Sequence, residues 1–557
     1  MSRIRWKPKG DNIRKGFLAA VQFGLGERTM KRELYYNGKI LTMQGQETAE
    51  AVLVEDGVIL AVGREEEMNL PGDVRRISLE GHTMLPGFID THSHFMGCAT
   101  SCLQCSVQDA GNIQELQETI RTYIRERKLP AGDWVMVRDF APEQLKEKRM
   151  PDRWMLDQAS PDHPLVLQHK SGHVGVFNSL GLRELKIDGA TQDPAGGHIE
   201  KKDGEATGYM EENAFFQAQR RLPMPSMQAM LDACQRAQEL YASFGITTLQ
   251  EGMLTAEMLP MYRGLLRRKA LWLDVAGYAD ISQADQIYGN LPDCDGTYAC
   301  RFKLGGYKIF LDGSPQSRTA WVRQPYEGSQ ETGTSTMTDQ EVREAVMLSF
   351  QTGRQLLAHC NGDRAAQQYL EACEWAAAKG KGPSRPVMIH AQMLGKDQIP
   401  RLKPLGMIPS FFAAHVFHWG DVHIQNLGLA RASGISPLRS ALEAGLVFTM
   451  HQDSPVIPPD MLETVWCAAA RKTKGGILLG ADERIPVYEA LKAVTCSGAY
   501  QYFEENRKGR IAPGMLADFA ILDRNPLEAA VEELTQIQVL ETIKEGKSIF
   551  RKEEQQK

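Results

Sequence analysis

His92 and His94 stand two residues apart at the end of the apolar run Leu85-Pro-Gly-Phe-Ile-Asp-Thr-His-Ser-His94. In a strand, residues at that spacing point to one face, so the two imidazoles can grip a single ion. Imidazole nitrogen suits zinc and similar divalent metals at roughly 2.0–2.1 Å. Four later positions fit the same centre. Lys308 lies in Lys308-Ile-Phe-Leu-Asp-Gly-Ser314, an apolar strand running into a polar loop. A buried lysine is costly unless paired or deprotonated. A neutral amine can take up carbon dioxide, and the two oxygens of the resulting carbamate can bridge two cations. An ion-paired lysine at the strand end is the plainer alternative. His359 closes Leu356-Leu-Ala-His359 and His390 closes Val387-Met-Ile-His390. One histidine at a strand end is ordinarily a core or capping residue, but two on successive strands after a His-x-His read as ligands. Asp453, just before Ser454-Pro455, can touch the metal and accept a proton from its water; capping the turn is its alternative.

These residue types imply metal-assisted hydrolysis. Metal coordination lowers the pKa of a bound water to ~7, and Asp453 could accept the proton of that water and return it later in the cycle, as general base and then acid. Around this centre, His173 in Ser171-Gly-His173, Asp312 after the Lys308 strand, Trp419 and His451 are expected to bind substrate. His173 packed in the core of an inserted segment and His451 packed behind its strand are the alternatives. Phe411, Phe412, His415, His418 and Trp419 form an aromatic stretch that suits either a pocket wall or buried packing.

Strands alternating with helical stretches must position these groups. Eight candidate strands are readable: Pro86–His92, Ile246–Gln250, Leu271–Gly277, Tyr307–Leu311, Gln355–His359, Val387–His390, Gly406–Phe411 and Leu446–Met450. Eight parallel strands close a (β/α)8 TIM barrel, an α/β fold whose active sites lie at the C-terminal strand ends, where most of these polar residues fall. The first-to-second strand interval is too long for one crossover helix, so an inserted subdomain is expected at about 105–225. Both chain ends read as short strands. Val52–Val54 and Val58–Val62 flank Asp56-Gly57, a hairpin signal, and Asp518–Leu522 is followed by strands over 539–550. Residues 31–85 and 505–557 are therefore expected to form one small, discontinuous β-sandwich domain around a barrel over 86–504. Residues 1–30, basic and broken by Gln22, Gly24 and Gly26, read as a poorly ordered extension, and the last charged residues as a frayed tail.

The 557 residues carry 64 Lys and Arg against 70 Asp and Glu, a net charge of −6, which gives no reason to expect nucleic acid as partner. A small-molecule substrate is expected. No run approaches the ~18–20 apolar residues of a membrane span. Ten cysteines without framework spacing point to reduced thiols and a cytoplasmic location. A homodimer is the default for a soluble oligomer.

The order of these pieces resembles the amidohydrolase superfamily, and specifically its family-3 branch. The resemblance covers nearly all of residues 31–552. It rests on the Pro-Gly-Phe-Ile-Asp-x-His-x-His94 strand end, Ser171-Gly-His173 with Asn178-Ser179, and Gly208-x-x-x-Glu212. It continues through Lys308-x-Phe-x-Asp-Gly-Ser314, His359 with Gly362-Asp-Arg364, His390-Ala-Gln392 and Asp453-Ser-Pro455. It implies His92, His94, His359, His390 and Asp453 as zinc ligands and Lys308 as the carboxylated bridge of a two-metal site. The implied activity is hydrolysis of a non-peptide C–N bond, with N-substituted formamides as nearest substrate type. A deaminase or cyclic-amide hydrolase on the same centre, and more remotely a non-catalytic barrel, are the other readings. Many relatives carry Gly-Ser-Asp around the aspartate where this chain has Met450-His-Gln-Asp453, which brings in His451.

Overall fold

In a computed structural model, the described residues are 31–553 apart from 46–47, 69, 71, 171 and 381–384. The expected extension over 1–30, residues 554–557 of the expected tail, and Ser171 lie outside them. Eight parallel strands form one sheet: β1 (Phe88–Ile89), β2 (Ile246–Leu254), β3 (Asp274–Asp280), β4 (Phe302–Phe310), β5 (Gln355–Cys360), β6 (Val387–His390), β7 (Ile408–Phe411) and β8 (Thr449–Met450). Each pairs with its predecessor in chain order. Bonds just beyond the strand ends join the last strand to the first. Asp453 N donates to His92 O at 3.1 Å and His94 N to Ser454 O at 2.8 Å. Thr91 Oγ1 donates to Met450 O at 3.1 Å. The sheet is TIM-barrel-like, and every predicted barrel strand overlaps an observed one.

Local chemistry explains most boundaries. Thr338 and Glu341 form a reciprocal capping box that starts the helix Asp339–Thr352, and Gly353, at φ 70°, ends it before β5. β3 begins three residues later than its pattern suggests. The amides of Trp272 and Leu273 are held instead by the side-chain oxygen of Gln238, on the helix Met227–Ser243. β4 begins five residues earlier, because Lys303, Gly305 and Gly306 interrupt an apolar run that nonetheless pairs with β3 from Phe302 onward, with a bulge at Gly305.

The chain ends contribute two further sheets. One joins Arg32–Tyr36 to Ala51–Glu55, Val58–Gly63 and Arg75–Ser78; the other pairs Thr83–Pro86 antiparallel with Phe519–Leu522 and continues to Val539–Lys544 and Lys547–Arg551. Tyr35, Val54 and Ile59 of the first share a buried cluster with Met84, Phe519 and Ile543 of the second. The long β1–β2 interval contains a six-stranded sheet spanning Cys105 to Glu212, with hydrophobic clusters of its own.

At the end of the barrel where β3 starts, a buried ionic cluster ties the barrel to the C-terminal strands. Asp274 lies 2.6 Å from Lys508, 2.7 Å from Lys544 and 3.0 Å from Arg301. Lys544 also reaches Asp518 at 2.6 Å, and Glu504 pairs with Lys508 and Lys303.

Candidate metal centre

His92 sits just past β1 with its ring under Gly252 of β2. A Cβ on Gly252 would fall 2.5 Å from His92 Cε1, so only glycine leaves the ring its place. His92 Nδ1 lies 2.7 Å from Gln250 Oε1, while Gln250 Nε2 donates to Thr91 O at 2.8 Å. The carbonyl can only accept, so the Gln250 oxygen faces His92 and receives the proton of Nδ1. The Nε2 lone pair of His92 is thereby left toward Asp453. Burial pushes His92 and His390 well below the ordinary histidine range, with Lys308 and neighbouring imidazoles adding to the effect. Both rings are neutral, as ligands must be.

Asp453 Oδ1 lies 3.5 Å from His92 Nε2 and 3.4 Å from His94 Nε2. It has no hydrogen-bond partner among the described residues. Those gaps exceed the ~2.7–2.9 Å of a charge-assisted hydrogen bond. They match donors ~2.1 Å from one tetrahedral ion, which stand about 3.4 Å apart. The three candidate ligand atoms all lie within 4.8 Å of one another, and the donor set of two imidazoles and one carboxylate fits zinc or a similar divalent ion. Burial works against the Asp453 carboxylate, but His94, His451 and Lys308 outweigh it and hold the group below its usual range. His94 experiences the converse: burial would lower it, and the carboxylates of Asp453 and Glu251 raise it.

Of the other expected ligands, His390 comes nearest, its Nε2 3.9 Å from Asp453 Oδ2. Both residues carry left-handed backbone, at φ 71° and 55°, a conformation that costs non-glycine residues of order 1–3 kcal/mol. The His359 ring stands edge-on to His390 at 4.7 Å between centroids. Its Nδ1 already meets Asp312 Oδ1 at 3.0 Å, and its Nε2 lies 3.3 Å from Asn361 Nδ2. Lys308 is fully buried, with no hydrogen-bond partner for Nζ among the described residues, and burial pulls it down to about 7. The ion-pair alternative for Lys308 finds no carboxylate within bonding distance there.

The expected substrate contacts separate. Asp312 is spent inside the protein: besides His359 it accepts from the amides of Trp321, Asn361 and Gly362. It orients a histidine and does not face open space. His451 is fully buried, with one ring nitrogen on His390 and the other on Ser410. It packs behind the strand, the alternative to a pocket contact, and its polar contacts go to His390 and Ser410. Trp419 lies 5.9 Å from Phe412, whose ring is stacked 6.1 Å from His390, so an aromatic wall does adjoin the centre. His415 is bonded to His423 in the core behind it. His173 stands in the inserted unit, half-exposed beside Glu212 and Phe216.

Sequence reasoning passed over Gln250 and Glu251 as site residues; they form a polar pair in the middle of β2. Glu251 is fully buried, accepts from Met96 N and Tyr262 Oη at 2.8 Å each, and turns Oε1 toward His94 Nδ1 at 3.9 Å. Asp90, also fully buried, is pushed by burial up to about 7, with Asp453 adding to the rise.

A TIM-barrel-like parallel sheet whose first and last strands bring two imidazoles and a carboxylate together has the make-up of a metal-dependent hydrolase. The chain belongs to the amidohydrolase family, which it matches over residues 75–550, and it is a hydrolase of carbon–nitrogen bonds. It is 28% identical over 538 residues to the N-substituted formamide deformylase of Arthrobacter pascens, covering 93% of this chain and 98% of that one. It is likewise 28% identical over 543 residues to the protein YtcJ of Bacillus subtilis (strain 168), covering 94% and 100%. The fold is similar, at TM-score 0.73 and 22% identity, to the crystal structure of an uncharacterized metal-dependent hydrolase from Pyrococcus horikoshii OT3, over 90% of this chain and 99% of that one.

Proposed function

We propose that this chain is a zinc-type metal hydrolase cleaving a non-peptide C–N bond of the amide or N-substituted formamide type. The observation that carries the reading is the unbonded Asp453 Oδ1, held 3.4–3.5 Å from two imidazole nitrogens. His92, His94 and Asp453 would hold one ion. His390, His359 and Lys308 would extend the centre to a second, Lys308 after its amine adds carbon dioxide and releases a proton to give a carbamate. A bound divalent ion supplies a Lewis acid and a water whose pKa is lowered to ~7.

The protein's own part is orientation and proton transfer. Gln250 fixes the His92 tautomer, and Asp312 holds the His359 ring. Asp453, held below its usual range chiefly by His94, accepts the proton of the attacking water on a carboxylate oxygen and passes it to the departing nitrogen. Phe412 and Trp419 exclude water from one side and offer an apolar wall to the nitrogen substituent. The similarity to the formamide deformylase across nearly the whole of both chains supports this substrate class over a deaminase or cyclic-amide hydrolase on the same centre. We further assign residues 31–85 and 505–557 to one sandwich domain, 86–504 to the barrel, and about 105–225 to an inserted unit; His173 belongs to that unit and would meet the distal part of a substrate. A cytoplasmic homodimer fits the composition.

The test pairs metal content with product analysis. Protein purified without chelator should hold about two divalent ions per chain, falling to one or fewer in Lys308→Ala. N-substituted formamides should yield formate and amine. Release of ammonia from amidine or aminopurine substrates, with formamides inert, would move the chain to the deaminase reading. Absence of metal after reconstitution would sink both.

A further inference from the structure

Behind His390 runs a chain of four hydrogen bonds among fully buried groups. His390 Nδ1 lies 3.1 Å from His451 Nε2. His451 Nδ1 lies 2.9 Å from Ser410 Oγ, and Ser410 Oγ lies 3.3 Å from Thr91 Oγ1. Thr91 Oγ1 lies 3.1 Å from Met450 O, the terminus. Three of the four contacts are ambiguous taken singly, since a hydroxyl or a neutral imidazole can donate or accept. Taken together they have one solution. Met450 O is a carbonyl and only accepts, so the single Thr91 hydroxyl proton points to it. Ser410 must then donate to Thr91, which leaves the Ser410 oxygen to accept from His451 Nδ1–H. The His451 Nε2 atom is consequently a lone pair, and the proton between the two histidines belongs to His390 Nδ1.

We propose that His451 is a positioning residue that fixes His390 in its Nδ1–H tautomer, so that the His390 Nε2 lone pair faces Asp453 and the metal. The role rests on the metal-centre reading above and adds a residue to it. An imidazole whose far nitrogen has no directed partner distributes its proton between the two nitrogens, and the form protonated at Nε2 cannot ligate through that atom. Gln250 solves the same problem for His92 with a carboxamide. Among the described residues His390 has no carboxylate or backbone carbonyl at its Nδ1, the usual partners of a ligating histidine; it has a second histidine, whose own direction is set by two hydroxyls and a carbonyl. The chain also links four strand ends: Thr91 follows β1, His390 ends β6, Ser410 lies in β7, and Met450 and His451 close β8.

The experiment is zinc affinity of the full-length protein by competition with a chromogenic chelator, in wild type, His451→Phe and His451→Gln. Phenylalanine keeps the ring and removes the acceptor; glutamine places an amide oxygen near the position of Nε2. Loss of an outer partner of this kind costs roughly 10–100-fold in metal affinity, and that loss is expected for His451→Phe, with His451→Gln recovering most of it. Equal affinity in wild type and His451→Phe, or an equal loss in both variants, overturns the role while leaving the metal centre intact. Failure of wild type to bind zinc overturns the metal centre, and this role with it. Should His451→Phe not fold, Ser410→Ala carries the test by removing one hydroxyl: a several-fold loss supports the directed chain, and unchanged affinity overturns it.

Discussion

At the scale of single residues, the site is a set of groups whose lone pairs have been aimed. Asp453 has two neighbours on one oxygen and the third on the other, all too distant to be direct hydrogen-bond donors. Replacing it by asparagine keeps the shape and removes the proton acceptor. Turnover should fall by orders of magnitude while metal content largely survives, which steady-state rates and elemental analysis of one preparation would check. Gly252 offers a steric test. Its alanine variant would press on His92 Cε1 and tilt the ring off its partner Gln250. We expect a drop in metal affinity of at least tenfold, read by chelator competition, with a folded circular-dichroism spectrum retained. Lys308 was legible in the sequence because it sits inside an apolar run, and the expected histidine ligands because each ends one. Gln250 and Glu251 lie in the middle of β2, and only their contacts reveal a role. Asp312 and His451 show the opposite case: polar residues beside a site suggest substrate, whereas here burial and hydrogen bonds turn them toward His359 and His390.

At the scale of elements, the eight barrel strands were readable as apolar runs, and the β-hairpin from its Asp-Gly turn. Boundaries were less so. β4 hides its first half behind Lys303 and two glycines, and β3 yields three residues to the Gln238 side chain, an interaction between segments more than 30 residues apart. No periodicity records such a bond. Where a cap is written in the sequence, its effect is calculable. Thr338→Ala removes one half of a reciprocal box at the start of the helix packed on β4 and β5. An N-cap of this type contributes typically ~1 kcal/mol. Amides in the first turn of Asp339–Thr352 should exchange with solvent deuterium about fivefold faster, with the barrel strands unaffected.

At the scale of the whole molecule, the ionic cluster around Asp274 sets the response to acid. Burial disfavours the ionised forms of Asp274 and Glu504, but their lysine partners outweigh it; Asp274 falls far below the carboxylate range and Glu504 to about 2. A carboxylate whose folded pKa is depressed stabilises the fold above its unfolded value of ~4 and loses that contribution as pH falls through the folded value. The thermal midpoint should therefore hold from pH 7 to about 4.5 and drop steeply toward pH 2. Asp274→Asn should lower the plateau and flatten the drop, because Lys508 and Lys544 then share a site without their common counter-ion. Scanning calorimetry across that range would check both.

The join between the last strand and the first has a consequence for the protein while it is being made. The backbone bonds from Asp453 to His92 and from His94 to Ser454 unite two parts of the chain separated by some 360 residues of synthesis. A ribosome that has translated as far as β7 has already released both histidines of the opening strand, with nothing to meet them. The carboxylate, and the carbonyl that terminates the proton chain behind His390, are both encoded beyond residue 449. On the proposed mechanism an unfinished copy lacks its proton acceptor, and the centre is assembled only when the last strand reaches the first.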